Sequence, residues 1–93
     1  MLQYEWDQAK ADANEKKNGV TFEEAATVFL DPLATSYRDP DHSAAELRFI
    51  TVGQSGGGRL LFVAHQELSE TRIRIISARA LTRRESHAYQ ESR

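Results

Sequence analysis

The spacing of apolar residues along this chain of 93 residues changes at Pro32. Before it the spacing is helical. Asp7 is placed to cap a first helix over "WDQAKADANEKKNG", whose apolar stripe is thin, and Gly19 supplies the left-handed residue that ends it. Thr21 and Glu24 have capping-box spacing, and Phe22, Ala25, Ala26 and Phe29 follow on one face of a second helix, closed by Asp31-Pro32. Tyr4 and Trp6, just before the first helix, are expected to staple it to the core. After Pro32 "LATSYR" reads as a short strand and "DPDHS" as a turn, while "ELRFITVG" and "RLLFVAH" form a hairpin around a flexible run of glycines. "TRIRIISAR" is a fourth strand, and Thr82 with Glu85 opens a last short helix that carries Tyr89 toward the sheet. The pattern predicts a single α+β domain over residues 1–93: two N-terminal helices, a four-stranded mainly antiparallel sheet and a C-terminal helix, with the helices packed on one side of the sheet.

Alternation within the strands assigns the faces. Leu47, Phe49 and Thr51 oppose Glu46, Arg48 and Ile50; Leu60, Phe62 and Ala64 oppose Leu61, Val63 and His65; Ile73, Ile75 and Ser77 oppose Arg72, Arg74 and Ile76. Placing the more apolar set of each strand under the helices leaves a second face that collects Glu46, Arg48, His65, Arg72 and Arg74. Arg79 has the parity of the core set, so it must lie beyond the sheet edge, follow a bulge or be paired in a buried site.

Charge sharpens this division. The chain totals −2, yet residues 1–46 carry Lys10, Lys16, Lys17 and Arg38 against ten Asp and Glu, and residues 47–93 carry eight Arg and no Lys against four Glu. The asymmetry predicts two faces with partners of opposite sign. Arginine matters in itself, because its planar fork binds phosphate or carboxylate oxygens bidentately and never deprotonates. With no cysteine, disulfides and thiol nucleophiles are excluded. No stretch approaches the apolar length of a membrane span, which predicts a soluble, cytoplasmic protein without membrane contact.

Few motifs carry chemistry. "GQSGGGRL" spaces Gly53 and Gly58 as a phosphate-binding loop does, but Arg59 and Leu60 stand where Lys and Ser/Thr are required, between strands and with no helix after them. It reads as a mobile hairpin turn. His42, His65 and His87 have no ligand spacing, so neither a metal nor another cofactor is expected; His42 reads as a solvated turn and His87 as helix surface. His65 ends a strand on the arginine-bearing face, and arginine is no general base at neutral pH. Acid/base work on that face therefore falls to His65, Glu46, Glu67 or a nearby Tyr.

Three stretches, "WDQAKADANEKKNGVTFEEAATVFLDP", "ELRFITVGQ" and "IRIISARALTRRE" with Tyr89, resemble the BrnT family of toxins from type II toxin–antitoxin modules. The likeness runs through nearly the whole chain in order. It departs at Asn18, where the family commonly has His before the glycine. The resemblance implies a RelE-like ribonuclease fold, with helices on one face of a sheet and RNA cleaved on the other. It also implies a BrnA-like antitoxin with a ribbon-helix-helix DNA-binding part, joined to the toxin in a heterotetramer that contacts DNA only through the antitoxin. On this basis Arg48, Arg74 and Arg79 are expected around a scissile RNA phosphate, with Arg72 and Arg59 nearer the rim. Metal-independent attack by a ribose 2′-OH would use His65 or Glu46 as the base. The acid stays open among His65, Tyr89 and an arginine acting through solvent. Glu23 and Glu24, in the acidic half, are expected to meet the antitoxin. A rival from another class is a non-catalytic module whose arginines pair with antitoxin carboxylates.

Overall fold

The protein is described from a computed structural model, over residues 1–40 and 47–92. A strand β1 (Gln3–Glu5) leads into helices α1 (Gln8–Asn18) and α2 (Phe22–Thr27) and a 3₁₀ turn (Val28–Leu30). Strands β2 (Thr35–Arg38), β3 (Arg48–Gln54), β4 (Leu60–Glu67) and β5 (Arg72–Ala80) and helix α3 (Arg83–Glu91) follow. The sheet order is β1-β5-β4-β3-β2, antiparallel except where β1 runs parallel to β5. The domain is α+β as expected, with five strands rather than four. Three residues ahead of a helix cap are too few to show alternation, and only their pairing with β5 makes β1 a strand.

Local chemistry fixes the helix ends. The Asp7 carboxylate accepts from the Lys10 amide at 3.0 Å, and Gly19 closes α1 at φ 69°, a region that costs glycine no side-chain clash. Because α1 buries only Ala11 and Asn14, apolar packing alone does not seat it. The Asn14 side chain does much of that work. Its amide group donates to the Val20 carbonyl (3.0 Å) and the Ala78 carbonyl (2.9 Å), and its Oδ1 accepts from the Ala78 amide (3.1 Å). Asn18 adds a bond to the same Ala78 carbonyl at 3.0 Å. Thr21 caps α2 through the Glu24 amide, but the Glu24 carboxylate leaves the helix end for Arg59 and Ser55.

Two apolar clusters lie on opposite faces of the sheet. Phe22, Ala25 and Val28 pack with Leu61, Val63, Ile73, Ile75 and Ala78 on the face covered by α1 and α2, where Trp6 meets Phe22 edge-on at 5.9 Å. On the other face Ile50, Val52 and Ala64 gather Phe62, Ile76, Leu81 and Tyr89. The last two belong to α3 and its lead-in, so α3 sits opposite the other helices and not beside them.

β4 therefore presents the opposite set to α1 and α2 from the one its composition predicts: Leu61, Val63 and His65 face them, and Phe62 and Ala64 do not. Both sets are apolar enough to be core, because both faces of β4 are covered. A bulge in β5 explains Arg79. The pairing runs Ala64↔Ser77 and then His65↔Ile75, so Ile76 is an extra residue. Ile73 and Ile75 point to the helices before it and Ala78 after it, and Arg79 is returned to the opposite face beside Phe62. The glycine hairpin is anchored to α2: Ser55 Oγ donates to Glu24 Oε2 at 2.7 Å, and the Gly56 amide to Thr27 Oγ1 at 2.7 Å.

Candidate functional site

Arginines gather on the face opposite α1 and α2. Register places Arg48 beside Gln66, Gln66 beside Arg74 and Arg74 beside Glu5, one residue from each of four adjacent strands. Arg48 and Arg74 stand two strand spacings apart, about 10 Å at the backbone, so their long side chains can converge on one oxyanion. Glu5 pairs with both Arg72 and Arg74, the latter at 2.8 Å to Nη2. Those hydrogen bonds, Arg74's first, hold the Glu5 carboxyl below its usual range. A carboxylate thus occupies two of these guanidiniums, and phosphate oxygens offer the same acceptor geometry.

Arg79 lies at the other end of this face. Five residues along β5 with one taken up by the bulge is a separation of roughly 13 Å from Arg74. Of Arg48, Arg74 and Arg79, expected from the sequence around one phosphate, register aligns the first two across the sheet and sets Arg79 apart from them. The Arg79 guanidinium lies 4.4 Å over the Phe62 ring and binds Glu85 bidentately at 2.7 and 2.9 Å. Glu85 also closes the α3 capping box through the Thr82 amide at 2.9 Å. Arg79 first, and then that amide, push its pKa down to about 2. Next to this pair α3 stands off the sheet. A groove of about 370 Å³ opens between α3 and the strands, lined by Thr35, Tyr37, Phe62, Leu81, Glu85 and Tyr89 among others. The Tyr89 hydroxyl donates to the Leu33 carbonyl at 2.9 Å, tying α3 across the groove.

His65 belongs elsewhere. It is 1% exposed, beneath α1 and α2's face of the sheet, with Phe29 edge-on at 4.9 Å and Phe49 stacked at 6.1 Å. Its Nε2 shares a 2.8 Å hydrogen bond with Thr51 Oγ1, while Nδ1 is buried without a partner. Burial pushes its pKa down to about 4. It is a neutral core residue on the wrong side of the sheet to serve the arginine row.

Arg59 is also turned away, toward α2, where it binds the Glu24 carboxylate (Nε at 3.0 Å) and the Gly19 carbonyl. Glu24 is thereby committed inside the fold, its pKa lowered by Arg59 and then Ser55, whereas Glu23 is exposed on α2. Asn18 lies behind the sheet at Ala78, away from the arginine row. Glu46 and the His42 turn fall outside the described residues. Among the described residues no group of three or more His, Asp or Glu side chains could hold a metal ion.

A family model described as the ribonuclease toxin, BrnT, of type II toxin–antitoxin systems matches residues 6–85. The chain belongs to this BrnT family. Among solved structures, the 1.1 Å crystal structure of the Brucella abortus ribonuclease toxin BrnT is similar, with a TM-score of 0.65 at 18% identity, covering 89% of this chain and 100% of that one. At that identity the likeness speaks for the fold alone. No curated protein sequence matches the chain. As a BrnT family member it is a ribonuclease toxin with an antitoxin partner.

Sequence reasoning missed Glu5, Gln66, Tyr37 and Phe62 as neighbours of the arginines, and took Glu85 for a helix cap only. Gln66 and Phe62 were recoverable from β4 parity, had both faces been treated as core. Glu5 and Tyr37 depended on pairing partners far away in sequence.

Proposed function

We propose that this BrnT chain cleaves RNA on the face opposite α1 and α2, with the scissile phosphate held by Arg48 and Arg74 and flanked by Arg72. The observation that carries this reading is the in-register row Arg48, Gln66, Arg74 across three adjacent strands. Attack by the 2′-OH on the adjacent phosphorus yields a 2′,3′-cyclic phosphate and a free 5′-hydroxyl, and charge builds on the non-bridging oxygens as the bond forms. Guanidinium groups fixed by a sheet are pre-positioned for that charge, so the step is proposed to need no metal. His65 is sealed on the other face, and the 2′ proton is proposed to go to Glu46, the other base expected from the family resemblance. The leaving 5′ oxygen takes its proton from water held at the row.

The partner is proposed to be a BrnA-like ribbon-helix-helix antitoxin, in a cytoplasmic heterotetramer that reaches DNA through the antitoxin alone. One observation favours the rival binding-module reading in part. Arg59, Arg72, Arg74 and Arg79 each hold a carboxylate of this same chain. An acidic antitoxin segment would fit the row in the same way, which also makes masking of the row a direct route to neutralisation.

The test is incubation of the purified chain with defined RNA in excess EDTA, beside Arg48→Ala and Arg74→Ala. We expect cleavage with 5′-hydroxyl ends to survive chelation and to fall at least about 100-fold in each variant. Activity within a few-fold of wild type in both folded variants would place the chemistry on another face.

A further inference from the structure

The groove between α3 and the strands has no role in phosphate chemistry, yet its composition is that of a ligand site. Its volume of about 370 Å³ lies in the range of small-molecule pockets. Its walls include the rings of Tyr37, Phe62 and Tyr89, and α3 has no buried residue of its own to fill it. Arg79 lies over Phe62 and is bound to the lining residue Glu85, and unpaired RNA bases stack on both aromatic rings and guanidinium planes.

Glu85, the charged residue of the lining, restricts which base fits. Glu85 and Arg79 form a fixed acceptor and donor pair. Glu85 Oε1 accepts twice, from Arg79 and the Thr82 amide, whereas Oε2 accepts once, from Arg79. That leaves Oε2 with a lone pair on a carboxylate that stays ionised. Guanine presents two adjacent donors, N1–H and the 2-amino group, on one edge, so a donor can meet Oε2 with no lone pair between the two donors. Adenine and cytosine place an acceptor beside their amino group, and uracil flanks its single N–H with carbonyls. The two latter patterns bring oxygen or nitrogen lone pairs against the carboxylate.

We propose that this groove is a nucleobase subsite that takes one unstacked RNA base, guanine by preference, on the same face of the sheet as the arginine row and at its other end. The inference rests on the ribonuclease reading for its biological sense but not for its test. Free nucleosides carry no phosphate, so their binding reports the groove without the row.

The experiment is a titration of the isotope-labelled full chain with guanosine, adenosine, cytidine and uridine, followed by NMR at groove and row residues. Guanosine is expected to shift Tyr37, Leu81 and Tyr89 resonances saturably and to bind about tenfold more tightly than the other three. Tyr37→Ala should weaken it by fivefold or more through lost stacking, and Arg74→Ala should leave nucleoside affinity unchanged. Cleavage of RNA by the same preparations is scored separately. Retained cleavage with no nucleoside-induced shift in the groove overturns the subsite and spares the ribonuclease reading. Equal binding of all four nucleosides overturns the guanine preference. Groove resonances that respond only to the antitoxin overturn the base assignment and give the surface to a protein partner.

Discussion

Acid should destabilise this protein through His65 before its carboxylates titrate. The neutral ring is sealed between Phe29 and Phe49 with Nδ1 unpartnered, and its pKa is lowered to about 4 from an ordinary 6.5. As pH falls below 6.5 the unfolded chain takes up a proton at His65 that the folded chain refuses, so stability is full above that pH and declines down to about 4. The whole gap is worth roughly 3 kcal/mol, of which about 2 kcal/mol is felt by pH 5. For a domain whose total stability is on the order of 5–15 kcal/mol, that is a large fraction. Urea unfolding followed by the fluorescence of Trp6, the single tryptophan, is a suitable assay. Between pH 7.5 and 5 the wild-type midpoint should drop by on the order of 1 M. His65→Phe and His65→Gln carry no titrating group there, and their midpoints should lose that drop whatever their absolute stability. Parallel declines in wild type and both variants would refute the argument. The same variants, where folded, should cleave RNA within a few-fold of wild type, and a loss of 100-fold would return His65 to the chemistry.

Two further outcomes follow from other contacts. Asn14→Ala removes two of the three hydrogen bonds that hold Ala78 to α1, sparing only the one from Asn18, and a further bond to the Val20 carbonyl, so the buried Ala78 amide and Val20 carbonyl lose this partner. It should cost about 2–4 kcal/mol and lower Tm by roughly 10 °C or more, and a shift under about 3 °C would show that water replaces the amide. Glu23→Lys, on the exposed face of α2, should slow association with the antitoxin in low salt while leaving the melting temperature unchanged. Glu24→Lys is no fair substitute, because Glu24 holds Arg59 and Ser55 within the fold.

Every element whose signal is local is readable from the chain alone. Asp7, Gly19, Thr21 and Thr82 mark helix ends because caps act through the nearest amides, and those ends are where the residues place them. The β3–β4 hairpin and the run that becomes β5 were legible for the same reason, and the order of motifs was enough to place the chain in its family. Long-range pairing decided the rest. β1 exists because three residues find β5, and α3 crosses to the far face because that face carries its own apolar cluster. A single inserted residue at Ile76 sets where Arg79 points. Alternation cannot assign β4 when both of its faces are buried, so His65 was read onto the arginine face. Charge density showed that arginines concentrate in the second half, but not which carboxylate each would meet. Glu5, Glu24 and Glu85 reach their arginines only because folding brings them together. A carboxylate's partner is set by distance in space, and a linear sequence records distance only over a helical turn or along a strand.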